Sequence, residues 1–84
     1  MENKYQVYRD RIVRNPAILV GKPVVKGTRI PVELVIEFLA ENPDLDELLA
    51  AYPRLTLEDV KACLAYAGRL VEKEGKAHSL QPPL

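Results

Sequence analysis

The chain has 84 residues with twelve basic and twelve acidic side chains, one cysteine, Cys63, and one histidine, His78. That inventory excludes an internal disulfide and makes a Cys/His zinc site implausible. No apolar run approaches the roughly 18 residues a membrane-spanning helix needs, and the charged N-terminus does not read as a signal peptide, so the cytoplasm is the expected compartment. So small a domain buries a modest share of its surface, and a partner subunit is the remaining source of extra burial. A homodimer, a higher oligomer or a heterocomplex is therefore expected.

The balanced charge is unevenly spread. Residues 1–31 hold seven basic and two acidic side chains, residues 32–60 one basic and eight acidic, and residues 61–84 four basic and two acidic. Either two different partners or a self-complementary pairing would suit such a layout, and so would simple solubility.

Residues 5–14 mix apolar, aromatic and basic side chains in near alternation, which predicts a short half-exposed strand. Asn15-Pro16 signals a turn. From Ala17 to Ile30, apolar β-formers are punctuated by Gly21-Lys22-Pro23 and Gly27-Thr28, the pattern of a small antiparallel ribbon. Gly27 permits a tight turn, and the Thr28 hydroxyl can bond the backbone locally. A phosphate-binding loop is excluded, because glycine rather than lysine precedes Thr28 and Pro23 has no amide to donate.

Pro31 then suits the first turn of a helix. Val32, Val35, Ile36 and Leu39 follow helical spacing, with Glu33, Glu37 and Glu41 outside, so helix one is expected to end near Glu41. Asn42-Pro43-Asp44 restarts the pattern, with Asn42 as cap and Pro43 at the first helical position. Leu45, Leu48 and Leu49 form the inner stripe of a short helix two, which stops at Tyr52 before Pro53.

Helix three has the clearest start. Thr56 is a good N-cap, Asp59 stands where a capping box places Glu or Gln, and Leu55 and Val60 have the spacing of a hydrophobic staple. The stripe Leu57, Val60, Leu64, Ala67, Val71 carries the helix to about Glu74, with Gly75 as its stop. Cys63 flanks this stripe as a buried, inert thiol, and Tyr66 lies opposite it. The proline-ended tail, residues 75–84, is expected to be flexible.

The chain thus divides into a basic β-ribbon arm (residues 1–31), a helical core (32–74) and a tail (75–84). The fold class is mainly α, a three-helix homeodomain-like helix-turn-helix core behind a short N-terminal β-ribbon. Helices two and three, joined by Tyr52-Pro53-Arg54-Leu55, match a helix-turn-helix in element and link length. Bundles that never touch nucleic acid use the same arrangement.

DNA reading would need donors on the first turns of helix three. Those turns offer Thr56 and Lys61, with Arg54 in the link, against the carboxylates of Glu58 and Asp59. Lys22, Lys26 and Arg29 on the ribbon would add backbone grip without sequence reading. These six residues are the candidate DNA contacts. Tyr66, Arg69 and Lys76 are the candidate contacts for a protein partner. The acidic groups are explained as helix-start charges, and neither an acid/base pair nor a cofactor or metal site is expected, so the chain reads as a binding protein rather than an enzyme.

The pieces Gly21-Lys22-Pro23, Gly27-Thr28-Arg29-Ile30-Pro31-Val32, Tyr52-Pro53-x-Leu55-Thr56, and Asp59-Val60 with Ala65-Tyr66-Ala67 resemble the domain-of-unknown-function 433 family of short prokaryotic proteins. The resemblance covers roughly residues 10–70 and accounts for Pro53 in the link. It implies a homeodomain-like helix-turn-helix behind a β-ribbon, and a VapB-like antitoxin encoded beside a PIN-like ribonuclease toxin. Such a protein would block the toxin by direct contact and also repress its own operon by binding operator DNA. A stand-alone DNA-binding regulator and a structural or oligomerisation module are the alternatives.

Overall fold

A computed structural model describes residues 10–78. The elements in chain order are strand β1 (Ile12–Arg14), a one-turn segment (Leu19–Gly21), strand β2 (Pro23–Val25), and helices α1 (Val32–Glu41), α2 (Leu45–Ala51) and α3 (Leu57–His78). The described residues are mainly helical, with α1, α2 and α3 following a two-stranded antiparallel hairpin.

The hairpin register pairs Ile12 with Val25, Val13 with Val24 and Arg14 with Pro23. Of the strand expected over residues 5–14, only Ile12–Arg14 is extended; Asp10 and Arg11 are helical, and residues 5–9 lie outside the described part. Alternation puts Ile12 and Val25 on the core side, where both are buried.

The turn after β2 forms as its residues dictate. Gly27 takes φ +81°, a left-handed value open to a residue without a Cβ. The Thr28 hydroxyl donates to the Val25 carbonyl at 2.8 Å and accepts the Ile30 amide at 2.9 Å, so one side chain closes the turn from both sides. Between the strands, Leu19 (φ +49°), Val20 (φ +56°) and Gly21 (φ +81°) follow one another in left-handed geometry. For the β-branched Val20 this crowds Cβ against the backbone, and the side chain is 93% exposed.

Pro31 stands one residue before α1, capping it through its carbonyl, which accepts the Leu34 amide. The break between α1 and α2 differs from the sequence expectation by two residues. Asn42 closes α1, its amide donating to the Phe38 carbonyl, and Asp44 is the N-cap of α2, accepting the Glu47 amide at 3.1 Å. Once Asn42 ends one helix, the next side chain able to cap is Asp44, since Pro43 has no acceptor. Asn42 still serves α2, donating from Nδ2 to Glu47 Oε1 at 2.6 Å.

The interior is formed by Ile12, Val25, Val32, Val35, Leu48, Leu55, Val60, Ala62 and Cys63. Phe38 of α1 meets Tyr52 edge to face, ring centres 6.3 Å apart, where the chain bends into Pro53. Leu48 is fully buried, but Leu45 of the expected α2 stripe is 41% exposed.

The larger correction concerns α3. Val60 and Cys63 are buried and Tyr66 packs against the core, whereas Leu57, Leu64 and Val71 are exposed. The inward stripe therefore runs Val60, Cys63, Tyr66–Ala67, rotated from the expected one, and Tyr66 lies on it rather than opposite. The helix also passes through Gly75, the expected stop, to His78, four residues beyond the boundary expected of the core. Of the tail expected over residues 75–84, residues 75–78 are thus helical, and residues 79–84 lie outside the described part.

Candidate functional site

The start of α3 is built by Thr56 and Asp59. The Thr56 hydroxyl accepts the Asp59 amide at 3.1 Å, and Asp59 Oδ2 accepts the Thr56 amide at 3.0 Å. This is a reciprocal capping box with aspartate in the usual place of glutamate. The staple residues Leu55 and Val60 are both buried beside it. Asp59 does more than cap, because its Oδ1 accepts Arg11 Nη1 at 3.0 Å across 48 residues of sequence. Buried and already doubly engaged, Asp59 offers nothing outward.

The six candidate DNA contacts fare unevenly. Arg54 donates to the Gly27 carbonyl at 2.7 Å, tying the interhelical link to the hairpin turn. Lys22 pairs with Glu33 at 3.1 Å, and Lys61 lies 3.6 Å from Glu58, one turn back on the same helix. The Thr56 hydroxyl is held by the cap. Lys26 and Arg29 are exposed on the turn that Arg54 clasps, so three basic side chains share that edge. The outer face of α3, which a major groove would have to receive, presents Leu57, Leu64 and Val71.

A groove of about 440 Å³ lies where the hairpin edge, α1 and the second half of α3 meet. Its apolar lining comes from Pro23, Val32, Ile36, Tyr66, Ala67 and Leu70. Arg14, Glu33 and Glu37 supply the charge. Of the three candidate partner residues, the structure brings Tyr66 into this groove, half-buried against the core. Arg69 is half-exposed on the same helix, and Lys76 belongs to the last turns of α3, where side chains lie outside the described part.

Val32, Ile36, Ala67 and Leu70 are the lining residues that periodicity alone misses as a site. The first two read as core of α1, and they do face inward; the groove exists because the hairpin and α3 leave that face incompletely covered. The signal present in the sequence is the spacing of Leu70, an apolar residue three beyond Ala67; the structure leaves it 48% exposed.

Cys63 is fully buried, and burial followed by the nearby Asp59 charge pushes its thiol from the ordinary value near 9 up to about 12. A thiol held neutral in this way is a packing group, not a nucleophile. Among the described residues no group of three His, Cys, Asp or Glu side chains is placed to hold a metal ion, and no helix is long and apolar enough to cross a membrane.

Comparison with known proteins gives the same frame. The chain is similar to a DUF433 member protein from Anabaena variabilis whose crystal structure is known, with a TM-score of 0.70 and 29% identity over 89% of this chain and 74% of that one. It is also 37% identical over 59 residues, or 70% of its length, to an uncharacterized protein, y4eO, of Sinorhizobium fredii (strain NBRC 101917 / NGR234). The match spans 27% of that relative, so the same unit there accompanies a much longer sequence. The DUF433 family model, described as a protein of unknown function, matches residues 12–67, from the first hairpin strand through the groove side of α3, and the chain belongs to that family.

Proposed function

We propose that this chain is an antitoxin-like binding protein that holds and neutralises a PIN-like ribonuclease toxin, with the groove between α1 and α3 as the docking surface. The observation that carries this reading is the neighbourhood of the groove: an apolar trough with two glutamates, Glu33 and Glu37, on its α1 side. Glu41, Asp46 and Glu47 extend the acidic surface along α1 and α2, all exposed. A ribonuclease must present basic surface to RNA, so an apolar anchor set among basic side chains is the complementary shape. Binding there would cover the surface that RNA needs, and inhibition follows from occupancy alone. The toxin class itself comes from the family resemblance.

Co-expression with the neighbouring reading frame tests the proposal. Wild-type chain is expected to co-purify with the product of that frame and to relieve its toxicity. Leu70→Arg, which places a charge in the groove at a half-exposed position, and Glu37→Lys are each expected to abolish both effects while the circular dichroism spectrum stays helical. Co-purification unchanged in both variants would move the docking surface elsewhere, and no complex at all would end the proposal.

Operator binding is the second role the resemblance suggests, and Lys26, Arg29 and Arg54 on one edge are the groups that favour it. Three close cations support phosphate contact but not base reading. The expected result is weak, sequence-independent retardation of duplex DNA at low salt, lost on changing Lys26 and Arg29 together; tight binding to one promoter fragment would contradict it.

A further inference from the structure

The outer face of α3 carries a pattern that folding of the single chain does not explain. Leu57, Leu64 and Val71 recur at intervals of seven residues and are 47%, 50% and 68% exposed. Lys61 and Gly68 lie three or four residues from them and therefore on the same face. Glycine is a poor choice inside an exposed helix, and a Cβ added at Gly68 would meet nothing within 4 Å. Nothing within the described chain asks for glycine there.

We propose that this face docks against the same face of a second copy of this chain, the two α3 helices running antiparallel. The proposal concerns the side of α3 turned away from the groove and does not depend on what the groove binds. With a twofold axis level with residue 66, Leu64 of one copy falls opposite Gly68 of the other, and the reverse. A large apolar side chain then meets a helix surface with no side chain, which permits close approach of the two backbones. The charges select the direction. Lys61 and Glu72 flank the stripe on one side, and the antiparallel twofold brings Lys61 of each copy within one residue of Glu72 of the other. A parallel pairing would instead set Lys61 level with Lys61 and leave Gly68 facing Gly68 across a gap. Opposed helix dipoles add to the antiparallel preference.

A DNA groove is a poorer occupant of this face. Three apolar side chains and Glu58 would have to replace the water around phosphates and base edges, with Lys61 as the only cation among the described residues of the stripe.

The test is self-association of the full chain, followed by sedimentation equilibrium across a micromolar dilution series. Wild type is expected to be a dimer that dissociates on dilution. Gly68→Gln separates the role in association from any role in folding: it replaces glycine with a better helix former, so the dilute monomer should melt higher, while dimerisation weakens by about tenfold or more. Lys61→Glu and Glu72→Lys should each weaken the dimer, and the double exchange should restore it. Direction is read by cross-linking. Mixed Leu64→Cys and Gly68→Cys chains should join, whereas Leu57→Cys should not join to itself, because the two copies of residue 57 are offset by 18 residues of helix, about 27 Å. A monomer at all concentrations, or efficient self-linking through position 57, would overturn the proposal.

Discussion

Asp59 on α3 holds Arg11, the residue before β1, at 3.0 Å, while the same carboxylate closes the capping box with Thr56. One side chain thus starts the longest helix and fastens the hairpin to it. The Lys26 amide donates to the Arg11 carbonyl at 2.7 Å, so both sides of the hairpin are drawn to this point.

Asp59→Ala is expected to cost about 2 kcal/mol, combining a lost cap with a lost, partly screened ion pair. Arg11 is 42% exposed, which keeps the pair's share below that of a fully buried bridge. Arg11→Ala alone should cost about 0.5–1 kcal/mol. Urea denaturation measures both. Equal losses for the two variants would show that the cap contributes nothing.

Val20→Gly should raise stability by about 1 kcal/mol, seen as a melting point roughly 4–8 °C higher. Glycine removes the Cβ that crowds the backbone at φ +56°, and the 93% exposed valine surrenders almost no buried contact. A lower melting point would mean that the three-residue left-handed turn is not strained at Val20.

Leu48→Ala should destabilise by about 3 kcal/mol, because the side chain is fully buried between helices and its removal leaves a cavity. Leu45→Ala, three residues earlier on the same short helix and 41% exposed, should cost under about 1 kcal/mol. Comparable losses at both positions would place Leu45 in the interior and rotate α2.

Cys63 should resist thiol reagents at pH 8 in the native protein and react at once in denaturant. Its folded value of about 12, above the ordinary 9, means the unfolded chain releases this proton first as pH rises. The contribution is fully present below about pH 9 and is lost between about 9 and 12. Stability measured across that window should fall more steeply for wild type than for Cys63→Ala. Parallel curves would show that the thiol plays no part.

The local devices could be read directly from the chain. Thr56 and Asp59 at a spacing of three, flanked by Leu55 and Val60, form the box and staple in the places their residue types require. Gly27-Thr28 makes its turn from its own two side-chain properties, and Tyr52-Pro53 breaks the helix because proline restricts the residue before it. Each of these depends on groups within five residues of one another.

The inward face of α3 was not legible, because this helix carries two apolar stripes. Leu57-Leu64-Val71 and Val60-Cys63-Ala67-Leu70 both have helical spacing, and periodicity reports an apolar face without saying what covers it. Only tertiary structure chooses. Packing into the shared interior buries Val60, Ala62 and Cys63 and leaves the leucine stripe outside, and the Arg11–Asp59 ion pair is compatible with that rotation. The groove has the same origin, since its lining joins residues 14 and 23 to residues 66 to 70. Sequence determined the helices, the break at Tyr52-Pro53 and the start of α3, through interactions that span a few residues. The extent of β1, the cap of α2 and the end of α3 departed from its pattern. Packing between elements far apart in the chain decided which surfaces were buried and which remained for partners.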